Sequence, residues 1–174
     1  MPLDFIPAPR RIALFWLFFT LTLAFFAVFG ILDQPLRTPA APNGIVSFEI
    51  AGSTTQAAAI RDSWSPTARL YAAFGLGLDF LFMPVYATAL SLSTLLAATR
   101  RKGRAWLGLG AVLAWGAYLA AGLDVVENSA LLHILLQGAA LPMPQIAAIC
   151  AMLKFVVLLI GIGYALLGWL LPQK

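Results

Sequence analysis

The chain has 174 residues, 61% of them hydrophobic and only 10% charged, with a formal net charge of +4. A soluble domain carries about 25% charged residues, so this chain lacks the polar groups to cover a water-facing surface, and a bilayer is its expected solvent. The single cysteine, Cys150, excludes an internal disulfide or a C-x-x-C redox pair, and the single histidine, His133, excludes a bis-histidine haem within one chain.

The first apolar run, Ile12–Leu32, follows Arg10 and Arg11. It is longer than the roughly 7–15 apolar residues of a secretory signal, so it reads as a retained transmembrane helix. The connection that follows, residues 33–65, opens with the proline-rich "DQPLRTPAAPNG" and continues with "IVSFEIAG", which sets Glu49 among apolar residues. Ser53 and Gln56 have the spacing of a capping box, which predicts a short helix from Ser53. Ile45, Phe48, Ile50, Ile60 and Trp64 are apolar enough to rest on a membrane surface or on helix ends. Two readings of this loop stand side by side: a structured connector, or a lid over a site at the outer face.

A second spanning helix is expected over 66–99, since Ser65 can cap it and Pro66 suits its first position. "TRRKGR" makes a short charged turn, and a third helix is expected over 105–136. "PMP" at 142–144 resets the chain before a fourth helix over 145–171, which Pro172 stops. A span needs about 20 apolar residues; helices two and three exceed this, so they tilt or project. The expected fold is an all-α integral membrane protein, a single domain forming an up-down four-helix bundle with a short extracytoplasmic helix in its first loop.

Orientation follows the basic residues. Arg10, Arg11, Arg100, Arg101, Lys102, Arg104 and Lys174 fall on one side, and Arg37, Arg61 and Arg69 on the other. Both termini are therefore expected in the cytoplasm and the first loop outside, in a plasma membrane or a bacterial inner membrane. This distribution accounts for the positive charge without a nucleic acid.

The remaining lysine, Lys154, lies inside the fourth helix. Asp79, Asp124 and Lys154 each stand about 20 residues, or about 30 Å, from the cytoplasmic charges, so they are expected at one level of the outer bilayer. Glu127 and Asn128 follow Asp124 at i+3 and i+4, on the same helical face. Each charge shares its face with small residues: Ala72 and Gly75 with Asp79; Ala117, Ala120 and Ala121 with Asp124; Ala147, Ala151, Gly161, Ala165 and Gly168 with Lys154. Small residues mark close helix–helix contact, and intramembrane charges face the bundle and pair with one another. Lys154 is thus the expected cation for Asp79, Asp124 or both.

Three roles for this layer remain open: an ion pair that fixes helix register, a ligand or lipid-headgroup site, or an acid/base or proton-relay site built on paired carboxylates. Tyr86, two turns from Asp79, and His133 are further candidates for contact with the layer, as is Glu49 from the loop. No metal site, cofactor motif, nucleotide loop or nucleophile elbow is present in the sequence. The expected function is that of a small membrane protein without enzymatic chemistry, binding a lipid, another membrane protein or a second copy through its bundle and outer face. The alternatives are a lipid-acting enzyme and proton-coupled transport.

Overall fold

The computed structural model of the chain describes residues 2–3, 5–100 and 103–170. The sequence readings that fall on Arg101, Lys102, Leu171, Pro172 and Lys174 lie outside these residues. Helices dominate: α1 (Ala8–Asp33), a 3-10 turn (Gln34–Leu36), α2 (Ile45–Glu49), α3 (Thr54–Ser63), α4 (Pro66–Thr99), α5 (Arg104–Gln137) and α6 (Met143–Leu170). Four of them, α1, α4, α5 and α6, are long and apolar enough to cross a membrane. The 34 residues of α4 and of α5 make rods about 51 Å long.

Local signals set the helix starts. Ser53 Oγ accepts from the Gln56 backbone N–H at 3.2 Å, so the serine half of the capping box forms and opens α3. Ser65 Oγ accepts from the Ala68 N–H at 3.1 Å and opens α4 in the same way. α1 begins four residues before Ile12, because Pro9 sits in the first turn, where its missing N–H costs no hydrogen bond. Its two arginines therefore lie within the helix, and Arg11 Nε reaches back to the Ile6 carbonyl.

Cα packing divides the chain into two compact units, and each of the four long helices contributes to both. The first comprises Met1–Leu23, Met83–Gly122 and Lys154–Lys174. Its helices approach through small residues. A Cβ on Gly168 would meet Ala97 Cβ and backbone, and one on Gly161 would meet the Leu90 side chain at 3.1 Å. The Trp106 ring stacks on Tyr164 at 4.2 Å between centroids. Tyr164 Oη donates to the Trp106 carbonyl and Trp106 Nε1 to the Ala97 carbonyl, so α4, α5 and α6 are joined by two polar links beside the stacked rings. Phe15 of α1 stacks on Trp169 of α6 and is the buried residue of that helix.

The second unit comprises Ala24–Phe82 and Leu123–Leu153. The connection between α1 and α4 folds here as a packed cap. Phe48, Ile60 and Trp64 bury with Ala68, Ala72, Leu131 and Ile134 in one core. Trp64, expected to rest on a membrane surface or on helix ends, is buried on the helix ends: its indole Nε1 donates to the Leu36 carbonyl at 2.7 Å and its ring meets Phe48 edge-on. Ile50 remains 47% exposed. The Asp33 carboxylate organises the turn into α2, accepting from the Ile45 N–H at 2.7 Å and from Arg37 Nε at 3.1 Å. Gly44 has φ of +57°, and a side chain there would collide with that carboxylate. On α3, Arg61 donates to the Leu135 carbonyl of α5, which holds the cap to the end of that helix. Phe25 and Phe29 of α1 pack against Phe82 of α4.

Candidate functional site

The long helices are apolar on the outside and carry their polar groups within. Trp16, Phe26, Phe74, Leu81, Trp115, Leu119, Leu159 and many like them are exposed, while Asp124, Glu127, Asn128 and Lys154 are buried. Most of the small residues expected to be buried around the charges are buried, Ala72 on α4, Ala117 and Ala120 on α5, and Ala147, Ala151, Gly161, Ala165 and Gly168 on α6, whereas Gly75 and Ala121 are half-buried.

In the second unit, α5 presents Asp124, Glu127 and Asn128 on one face, with exposures of 3%, 0% and 1%. The i, i+3, i+4 spacing puts them there. Opposite them, α4 offers Asp79, which is half-buried. Asn128 joins the two helices. Its Nδ2 donates to Asp79 Oδ2 at 2.7 Å and, more weakly, to the Leu76 carbonyl at 3.4 Å. One amide group thus directs both hydrogens at α4, one to a carboxylate and one to a backbone oxygen one turn earlier. Of the small neighbours of Asp79 on its face, Ala72 is buried, whereas a Cβ on Gly75 would meet nothing within 4 Å.

Lys154 belongs to the first unit, where it is 5% exposed and its ammonium stands 4.9 Å from the Phe155 ring centroid. Tyr86 is buried in that same unit. Glu49 ends α2 and is half-buried. His133 is exposed and lines an open groove of about 400 Å³ with Val125, Val126, Ser129, Ala130, Met143 and Ile146. Among the described residues, no three His, Cys, Asp or Glu side chains gather closely enough to hold a metal ion.

Some polar groups gave little signal in sequence. Ser91 and Thr94 are fully buried on α4, and Thr94 Oγ1 donates to its own helix at the Ser91 carbonyl. The Ser91 hydroxyl is buried without a hydrogen-bond partner among the described residues, and such small uncharged hydroxyls break no apolar run, so the pattern passes over both. The role of Asn128 was also hidden: it appears in sequence as a neighbour of two acids, although its amide donates to both Asp79 and the Leu76 carbonyl of α4.

Comparison of the chain with protein-family models, with curated proteins and with solved structures gives no match.

Proposed function

We propose that this chain is an integral membrane protein, an up-down four-helix bundle with cytoplasmic termini, that acts by binding a membrane lipid or a partner protein rather than by catalysis. The membrane reading is supported by the inverted polarity: large apolar side chains cover the outside of the long helices and charged groups are inside. Water-soluble proteins seldom expose apolar patches beyond a few hundred Å².

The observation that carries the non-enzymatic reading is the bond from Asn128 to Asp79. It gives the acidic face of α5 a structural task, holding α4, and both amide hydrogens are engaged in it. The competing reading uses Asp124 and Glu127 as an acid/base pair or proton relay. Exposures of 3% and 0% shut substrate and bulk water away from both. Lys154 enters as a separate proposal. A lysine this buried calls for a counter-charge, and the count of residues along each helix assigns that role to Asp79 or Asp124.

Native mass spectrometry of the gently extracted full chain tests the binding reading. A stoichiometric protein partner or one defined lipid retained on the chain is the expected result. A bare monomer that carries neither, from membranes where the chain is abundant, overturns it.

A further inference from the structure

Charge is divided unevenly between the two units. Of the 11 Lys and Arg residues, only Arg37, Arg61 and Arg69 lie in the second unit, and of the 7 acids only Asp4 lies in the first. The first unit is therefore strongly basic, and contacts within it gather one end of each long helix. Phe15, near the start of α1, stacks on Trp169 at the end of α6. The Trp106 indole at the start of α5 donates to the Ala97 carbonyl near the end of α4. Two helices start here and two end, so their dipoles offset, and side chains set the charge of this end.

Arg100, one residue past α4, is the cation that these contacts position. Its guanidinium carbon stands 4.4 Å from the Trp169 ring centroid, and Phe15 stacks on the same indole at 6.1 Å. An aromatic face holds a guanidinium and leaves its N–H fork at the rim. No described residue accepts from that fork, and Arg100 is only half-buried. The Trp169 indole N–H is buried without an acceptor among the described residues, which adds a second positive edge. Arg11, one turn before Phe15 on the same face of α1, brings a further cation to this side.

Trp169 also begins an apolar stripe. Leu166 and Ile162 share its face of α6 at i−3 and i−7 and are 53% and 45% exposed, and Phe19, stacked on Phe15, is 37% exposed on α1. A cationic fork thus tops exposed apolar surface on two helices, the complement of an amphiphile with an anionic head.

We propose that this end of the first unit holds one anionic phospholipid of the cytoplasmic leaflet, its phosphate on the Arg100 guanidinium and its acyl chains along Leu166, Ile162 and Phe19. A phosphate can meet the guanidinium fork with two parallel hydrogen bonds, and basic clusters at the cytoplasmic ends of spanning helices attract anionic lipids. An acidic protein would use the cation but leave the apolar stripe uncovered. The proposal rests on the membrane reading above and narrows its ligand to an anionic lipid at one site.

The test places the full chain in nanodiscs of phosphatidylglycerol and phosphatidylcholine in equal parts and identifies the lipid that native mass spectrometry leaves bound. Wild type should retain one phosphatidylglycerol in preference to phosphatidylcholine, a result that needs no variant. Arg100→Gln should lower that retention about tenfold, the equivalent of about 1.4 kcal/mol. Arg10→Gln removes the same charge from an exposed position and should change retention by less than about twofold. Arg100→Lys, which keeps the charge without the fork, should fall between them. Soluble glycerol phosphate should not displace the lipid, because it lacks the acyl chains. Equal retention of the two lipids, equal losses from Arg100→Gln and Arg10→Gln, or displacement by glycerol phosphate overturns the proposal. So does an acidic protein that copurifies through Arg100 in place of the lipid. Carbonate washing of native membranes separates the two levels. Release of the chain into the wash defeats the membrane reading itself, whereas a retained chain with no lipid preference defeats only this site.

Discussion

Asn128 Nδ2 stands 2.7 Å from Asp79 Oδ2, a direct bond between α5 and α4 from a fully buried amide to a half-buried carboxylate. Removing the donor leaves the acid with fewer hydrogen bonds in a place where water is scarce. Hydrogen bonds to charged groups contribute about 1.5–3 kcal/mol, while interhelical ones in membranes average nearer 0.6 kcal/mol. Asn128→Ala should therefore lower stability by about 1–2 kcal/mol, read as a lower melting temperature in mild detergent. Asn128→Asp should cost more, since it sets a second carboxylate against Asp79. If Asn128→Asp melts with the wild type, the bond is not what holds α4 to α5.

Lys154 makes a separate prediction. Truncating one partner of a buried ion pair costs about 3–5 kcal/mol, because the other charge is left without compensation. If Asp79 is the partner, Asp79→Asn should destabilise the wild-type chain clearly more than it destabilises Lys154→Met, with a coupling of about 0.5–3 kcal/mol. The same cycle with Asp124→Asn assigns the alternative partner. Additive melting shifts in both cycles would place the lysine and the two acids in separate environments.

The long helices were legible because their signals are strong and local. Apolar runs located α1, α4, α5 and α6, and Ser53 and Ser65 marked two starts that the structure caps as expected. The burial of the small-residue faces followed from residue size alone. The loop was only half legible. Phe48, Ile50, Ile60 and Trp64 look alike in sequence, yet Phe48, Ile60 and Trp64 enter the core and Ile50 does not. That choice depends on how α2 and α3 meet Ala68, Leu131 and Ile134, all distant in the chain. The candidate site shows the same limit. Charge drew attention to Asp79, Asp124 and Lys154, but not to the neutral amide of Asn128 that donates to Asp79, which hydropathy cannot distinguish from a satisfied surface residue.

Within the cap, one carboxylate organises the turn into α2. Asp33 accepts the Ile45 N–H and the Arg37 side chain, and it occupies the space where a side chain on Gly44 would project. The φ of +57° at Gly44 is itself unfavourable for other residues. Gly44→Ala should therefore destabilise the cap by about 1–3 kcal/mol through strain and displacement of Asp33. Asp33→Ala should lose about 1 kcal/mol, as a missing capping acceptor does. Limited proteolysis reads both directly, with faster cleavage between residues 34 and 65. Combining the two changes should recover part of the loss, because the collision disappears with the carboxylate while the strain remains. A double variant that is worse than the sum would contradict that geometry.

Two glycines of α6 separate close packing from simple helix propensity. A Cβ on Gly168 would lie 2.5 Å from Ala97 Cβ and 3.0 Å from Ala97 Cα, so backbone rather than a flexible side chain would have to move. Gly163, on the same helix, has nothing within 4 Å of its Cβ position. Alanine favours a helix over glycine by about 1 kcal/mol. Gly163→Ala should accordingly be neutral or stabilising by up to about 1 kcal/mol. Gly168→Ala gains the same propensity but pushes α6 away from α4, and overpacking of this kind costs about 1–3 kcal/mol. The expected result is opposite shifts in melting temperature from the same chemical change five residues apart. Equal upward shifts would mean that α6 can move away from Ala97 at little cost, and that the small-residue seam does not set the spacing of these helices. Changing Ala97 to Gly in the Gly168→Ala background provides the check: it removes the Cβ contact but not the contacts to the Ala97 backbone, so it should cost less there than in the wild type.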